Sequence, residues 1–235
     1  MRCYFVNETV SGHLKLRHTY RNLMITEHQY LDKYPIKTDS KKLIVGTIHP
    51  HNYNSFTIPF FYGNTTSLWK ILSEAFPDEL SQPLTLEGIL KFLEEKKISV
   101  SDTIRKCRRE NSTALDKDLI PTELNNQILD DIKNSKISEI LFTSGFGKNN
   151  AFRLFYTDIL GLKITKQIRE NREVIVNNQK IGRPVKLTVL YSPSGSSNVG
   201  ISKSKAYIAN RGKYKDSNRP VHDFKVDYYQ EKFNK

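Results

Sequence analysis

Cysteine is nearly missing from this 235-residue chain, which has two, Cys3 and Cys107. Neither stands at metal-binding spacing, so the pair points to a reducing compartment and to a fold that needs no disulfide framework. Long apolar runs are missing too. No stretch reaches the roughly 20 residues that span a bilayer, and the opening MRCYFVNETVSGHLKLRH has no apolar signal region. These absences place the protein in the cytoplasm, without a membrane partner. Internal repeats and low-complexity tracts are absent as well. A chain of this length forms one large domain or two small ones. It buries roughly 70% of the surface that its unfolded form exposes, enough to fold without a metal staple.

Acidic charge is in deficit. Lysine and arginine number 37 against 25 aspartates and glutamates, a formal net charge of +12. Such an excess favours an anionic partner. Acid gathers in residues 74–95 (Glu74, Asp78, Glu79, Glu87, Glu94, Glu95). Base gathers in residues 203–219 (Lys203, Lys205, Arg211, Lys213, Lys215, Arg219) and again at Arg105, Lys106, Arg108 and Arg109. Any one run reads as a solvated face; several together point to a phosphate-bearing surface.

Periodicity supplies the elements. KLIVGTI (42–48), ISEILFT (137–143) and VKLTVLY (185–191) read as strands. Leu68, Ile71, Leu72 and Ala75 mark a helix face. Thr85 caps a second helix over 86–96, with Ile89, Leu90 and Leu93 inward. Ser101 opens a third helix through Arg109, and Pro121-Thr122 a fourth with Leu124, Ile128 and Ile132 inward. A helix over 150–160 stops at Gly161. Residues 173–181 read as a hairpin turning at Asn177-Asn178. Strands alternating with helices imply an α/β fold, a mainly parallel sheet with helices on both faces. Ligands in such folds bind beyond the carboxyl ends of the strands.

The segments after three core strands are small and polar: TIHPHNYN, SGFGKNN and SPSGSSN. The last offers Ser192, Ser194, Ser196, Ser197 and backbone N–H groups to a phosphate or a flat ring; an ordinary surface turn is the competing reading. It is not the G-x-S-x-G elbow of serine hydrolases. Gly145-Phe146-Gly147 lacks the third glycine of a dinucleotide fingerprint. The first loop brings His49, His51, Asn52, Asn54 and Asn64 together with Phe60, Phe61 and Tyr62. Aromatics stack on bases, and amides and imidazoles bond to base edges. Equally, one or two of the three aromatics fit a core anchor under the following helix. His49-Pro50-His51 has no nearby carboxylate or cysteine to complete a metal set.

In order and spacing these loops resemble the uracil-DNA glycosylase superfamily, closest to its hypoxanthine-glycosylase-like and mismatch-specific branch. Gly46-Thr47-Ile48-His49-Pro50 is similar to the first motif. Phe61-Tyr62-Gly63-Asn64 through Leu68-Trp69-Lys70-Ile71-Leu72 resembles the branch's Tyr-Tyr…Asn-x-Phe-Trp segment. Ser101-Asp102-Thr103-Ile104, Cys107-Arg108-Arg109 and Ser112-Thr113-Ala114-Leu115-Asp116 resemble its Asp-Val-Ile…Cys-x-Arg…Gly-Ser-Leu-Asp stretch. Leu141-Phe142-Thr143-Ser144-Gly145 stands where the family has its base-reading strand end, and Leu190-Tyr191-Ser192-Pro193-Ser194-Gly195-Ser196 resembles the second motif.

The resemblance implies a single domain in a three-layer α/β/α sandwich. Residues 1–40 are a lead-in, about 43–198 the family core and 199–235 a basic C-terminal segment. It implies a monomer that binds DNA and hydrolyses the N-glycosidic bond of a flipped-out damaged or modified base, without metal or cofactor. Catalytic roles fall to His49, Asn64, Ser67 and Asn52, base contacts to Phe60, Phe61, Tyr62, Thr143 and Ser144. Contacts to the DNA backbone fall to Ser192, Ser194, Ser196, Ser197, Lys203 and Lys205. The chain departs from the family where relatives carry Asp or Asn in the first motif and it has His49. Ser67 stands at the Asn place before Leu-Trp, Ser192 opens the second motif, and Thr143 or Ser144 replaces the base-reading Asn. A non-catalytic reader of modified or single-stranded nucleic acid, or a nucleoside N-glycosidase, are the rival functions.

Overall fold

The computed structural model describes residues 24–109 and 115–234. Cys3, most of the lead-in, and Ser112, Thr113 and Ala114 of the family-like stretch lie outside the described residues.

The strands are β1 (Met24–Glu27), β2 (Lys42–Gly46), β3 (Ile98–Asp102), β4 (Ile104–Arg109), β5 (Leu119–Leu124), β6 (Glu139–Phe142), β7 (Glu173–Asn177) and β8 (Pro184–Val189). Five of them form the central sheet in the order β3-β2-β6-β8-β7, parallel except for the antiparallel edge strand β7. The helices are α1 (Ser67–Ala75), α2 (Leu86–Glu95), α3 (Gln127–Lys133), α4 (Ala151–Arg153), α5 (Lys166–Asn171), α6 (Asn198–Ile201), α7 (Lys205–Asn210) and α8 (Pro220–Asn234).

Strand side chains alternate between faces, and each face of the sheet has its own core. Ile44, Ile98, Val100, Leu141 and Leu190 pack with Leu68, Trp69, Ile71 and Leu72 of α1, Phe92 of α2, and Tyr229 and Phe233 of α8. Leu43, Val45, Ile140, Phe142, Leu187 and Val189 face the other way, onto Ile128 and Ile132 of α3, Phe152 of α4 and Ile168 of α5. Helices on both faces of a mainly parallel sheet confirm the α/β layering read from the pattern. Thr85 caps α2 by accepting from the Gly88 N–H at 3.0 Å, a contact worth about 1 kcal/mol.

Several elements differ from expectation. The segment from Ser101 to Arg109 is strand, not helix. All five residues of β3 are buried beside β2, and β4 joins β1 and β5 in a second, antiparallel sheet. The charges that resembled a solvated helix face find carboxylates across that sheet and in the loop preceding β2. Arg105 meets Asp32 at 2.9 Å, and Lys106 meets Glu27 at 3.9 Å. Two of the four cations at 105–109 are thus paired with carboxylates, Arg109 is buried, and Arg108 is exposed. Pro121-Thr122 continues β5, and α3 starts only at Gln127. Residues 154–159 form a π-helix, whose wider turn buries Leu154, Phe155, Tyr156 and Ile159, more than one α-helical stripe presents. The hairpin of β7 pairs with β8 rather than closing at Asn177-Asn178. The C-terminal aromatics are packed: Tyr229 is fully buried and its hydroxyl donates to the Tyr191 carbonyl at 2.8 Å.

Candidate functional site

Register fixes where the loops meet. Gly46 of β2 pairs with Asp102 of β3, Val45 with Phe142 of β6, and Phe142 with Val189 of β8. The carboxyl ends of four parallel strands thus share one edge. The segments beyond them enclose a cavity of about 260 Å³, lined by Thr47, His49, Tyr62, Asn64, Ser67, Asp102, Asp116, Thr143, Ser144, Ser192 and Ser194 among others.

Two glycines permit close approaches beside the cavity. A Cβ on Gly46 would collide with the Tyr62 hydroxyl and the Asp102 carboxylate, so only glycine lets both side chains over the end of β2. A Cβ on Gly63 would strike the Ile58 carbonyl oxygen. Tyr62 itself has φ 58°, the left-handed region that costs a non-glycine residue about 1–3 kcal/mol. Its surroundings hold it there. The hydroxyl bonds Thr143 Oγ1 at 3.0 Å, and the Trp69 indole N–H donates to the preceding carbonyl, Phe61 O, at 2.8 Å. Burial raises the Tyr62 phenol far above its ordinary range, so it stays protonated.

Two carboxyl groups face this cavity in unlike settings. His28 accepts the Tyr30 and Leu31 N–H groups at Nδ1, so its proton is on Nε2, which donates to Asp102 Oδ2 at 2.8 Å. Asp102 is thereby held in one orientation at the strand end. Asp116 is half-buried in a short 3-10 turn ahead of β5. Its Oδ1 accepts from the Thr47 hydroxyl at 2.8 Å, and Ser144 bonds it as well. With its amide turned to suit both neighbours, Asn150 donates to Oδ2 at 3.3 Å. Burial, with a smaller contribution from the Asp102 charge, raises the Asp116 carboxyl from 3.8 to about 6.

The histidine at the first motif is placed differently from its expected role. His49 lines the cavity, but its Nε2 accepts from the Gln29 N–H at 3.0 Å and its Nδ1–H donates to the Pro50 carbonyl at 2.8 Å. Both nitrogens are spent, and burial lowers its pKa to about 4. His49 is a neutral wall whose backbone carbonyl is tied to Arg109 at 2.7 Å, not a free base for water. Asn64 and Ser67 do face the cavity; Asn64 makes no side-chain bond to another described residue, and Ser67 takes a bond from Thr65 at 3.2 Å. Asn52 does not line it. It is exposed and bonds Ser55 at 3.1 Å. Phe60 and Phe61 are 2% and 1% exposed in the core beneath α1, so the aromatic wall comes from Tyr62 and Phe56 instead.

A second, wider cavity of about 760 Å³ shares Asp116, Thr143, Ser144, Ser192 and Ser194 with the first. Ser196 and Ser197 line it as well. The serine loop is braced from behind by Lys225 of α8, 1% exposed, which donates to the Pro193 and Ser194 carbonyls at 3.3 Å each. Lys205 lies on an adjoining groove, while Lys203 is exposed and lines neither cavity. Among the described residues no group of His, Cys, Asp and Glu is arranged to hold a metal, and no helix is long and apolar enough to cross a membrane.

Asp102 and Asp116 carry no role that the sequence pattern shows. Asp102 closes the run ISVSD, and reading that run as a strand would have put it at the strand edge. For Asp116 no local signal exists; a loop brings it in.

No family model and no curated protein matches the chain. Among solved structures it is similar to the solution NMR structure of a "putative Uracil DNA glycosylase" from Methanosarcina acetivorans, at 18% sequence identity, a TM-score of 0.42, and coverage of 86% of this chain and 96% of that one.

Proposed function

We propose that the protein is a DNA N-glycosylase that hydrolyses the bond between deoxyribose and a modified or damaged base. One observation carries this reading. Two carboxyl groups with different environments, Asp102 and Asp116, face one base-sized cavity with an aromatic wall. Paired carboxyls in unlike settings are the signature of acid and base roles in glycosidic cleavage.

In this reading the base enters flipped out of its strand and lies against Tyr62 and Phe56, with Thr143, Ser144 and Asn64 at its polar edge. Asp116 holds a proton near neutral pH and gives it to the departing base as the C1′–N bond breaks, the bonding pair leaving with the base. Positive charge then develops on the sugar. The Asp102 carboxylate, oriented by His28, stabilises that charge and takes a proton from the water that adds to C1′. The products are the free base and an abasic site; Asp116 recovers its proton from solvent and Asp102 returns its own. Burial of both groups strengthens these interactions relative to water.

The spent nitrogens of His49 favour a second reading, a binding protein that does not cut. The test is an alkali-revealed abasic-site assay on oligonucleotides carrying uracil, hypoxanthine, xanthine, mismatched thymine and hypermodified pyrimidines, run with wild type, Asp102→Asn and Asp116→Asn. Cleavage of one substrate that both variants lose supports the glycosylase. Binding retained by all three proteins with no cleavage transfers the function to the reader.

A further inference from the structure

The wider cavity contains a cation that the catalytic reading does not use. Arg172 follows α5 with φ 58°, a left-handed residue that turns its side chain across the sheet edge. Nε donates to the Val189 carbonyl at 2.9 Å and Nη2 to the Leu190 carbonyl at 2.6 Å. The guanidinium lies over the Tyr191 ring at 4.6 Å and near the Phe146 ring at 5.8 Å. It is half-buried and forms no ion pair with a described residue. A guanidinium carries five N–H donors in a fixed fork, and the two carbonyls leave several of these unspent. A fixed, partly desolvated charge without a counter-ion is costly unless a ligand supplies one.

The surroundings select the ligand. Arg172 lines the cavity with Lys117, Ser192, Ser194, Ser196 and Ser204, and with Asp116 where the two cavities join. It also lines the next groove, with Arg169, Glu170, Glu173, Lys205 and Tyr228, where Lys232 is paired with Glu173 at 2.7 Å. A chain leaving the base cavity therefore meets Arg172 first and the exposed Lys205 of the groove next. The volume exceeds what a lone inorganic anion fills. Resting on the nucleic-acid reading above, we infer that the Arg172 cavity binds the phosphodiester of the nucleotide adjacent to the one in the base cavity. The strand then continues along the groove past Lys205. Arginine suits this role because its planar fork matches two phosphate oxygens while its face stacks on aromatic rings.

The test uses the full-length protein and a short unmodified single-stranded oligonucleotide, with affinity followed against salt. With no base to excise, the result is independent of whether any glycosidic bond is cut. Arg172→Gln is expected to weaken binding about tenfold and to reduce the slope of log affinity on log salt by about 0.7, one phosphate contact on a single strand. Because Arg172 also braces two carbonyls, a second pair of variants avoids it. A Cβ on Gly200, in α6 on the cavity wall, meets nothing within 4 Å. Gly200→Glu should weaken binding with the same slope change, and Gly200→Gln should leave both near wild type. Wild-type affinity and slope in Gly200→Glu overturn the inference. So does an Arg172-dependent site that inorganic phosphate fills but the oligonucleotide does not compete for.

Discussion

Asp116→Asn tests the site through stability and activity together, and predicts opposite signs. Burial raises the Asp116 carboxyl from 3.8 to about 6. At 1.36 kcal/mol per pH unit, holding it ionised in the folded state costs about 3 kcal/mol above pH 6. The sign follows from proton counting. Between about pH 4 and 6 the folded chain binds this proton and the unfolded chain does not, so the contribution to stability falls as pH rises through that window. Asparagine keeps the shape and still accepts from the Thr47 hydroxyl, but has nothing to ionise. The variant should therefore melt with wild type below pH 4 and above it near neutral pH, by about 1–3 kcal/mol. For a domain of this size that is roughly 3–9 °C. His49 also titrates with folding, but identically in both proteins, so it cancels in the difference. Meanwhile cleavage should fall by about 10²–10⁴, the usual contribution of a positioned proton donor. Thermal melts across pH and single-turnover cleavage read the two halves. A variant whose stability advantage over wild type is no greater at neutral pH than at acid pH would refute the buried-carboxyl reasoning. One that is stabilised yet cuts at the wild-type rate would refute the proton-donor role.

Other perturbations separate positioning from packing. Gly46→Ala should abolish cleavage while keeping the circular dichroism of the folded sheet, because the added methyl displaces the Tyr62 hydroxyl and Asp102 together. His28→Leu removes the partner of Asp102 Oδ2 and leaves that oxygen buried and unpaired; a loss of about 1–3 kcal/mol in chemical unfolding is expected, with a lowered kcat. For His49, whose pKa burial lowers to about 4, the unfolded chain binds a proton that the folded chain refuses. Stability should fall as pH drops from about 6.5 toward 4, and His49→Gln should flatten that dependence in urea titrations. The same variant should leave any ionisation near pH 6 in the cleavage profile in place, since that belongs to Asp116.

Local pattern was enough for much of the scaffold. Alternating apolar runs gave β2, β6 and β8, the 3.6-residue period gave α1 and α2, and Thr85 gave a cap. Their pattern is local even though their pairing partners are distant, so the sequence alone carries them. Strand order also sets the edge where loops must meet, which is why His49, Tyr62, Asn64, Thr143 and the serine loop were legible as neighbours. What the period could not reveal depends on partners distant in the chain. β4 reads as a charged helix until Asp32, Glu27 and Glu123 arrive from other segments to pair with its charges. Phe60 and Phe61 look like a base-stacking pair until α1 covers them. His49 looks like a base until the Gln29 N–H and the Pro50 carbonyl occupy its ring, and Asp116 looks like one surface acid among many until Thr47, Ser144 and Asn150 enclose it. The sequence by itself determined β2, β6 and β8 and the loops that follow them, because those follow from periodicity. Only the tertiary structure decided which side chains there are free to do chemistry, because a group's hydrogen-bond partners, burial and protonation depend on neighbours from distant parts of the chain.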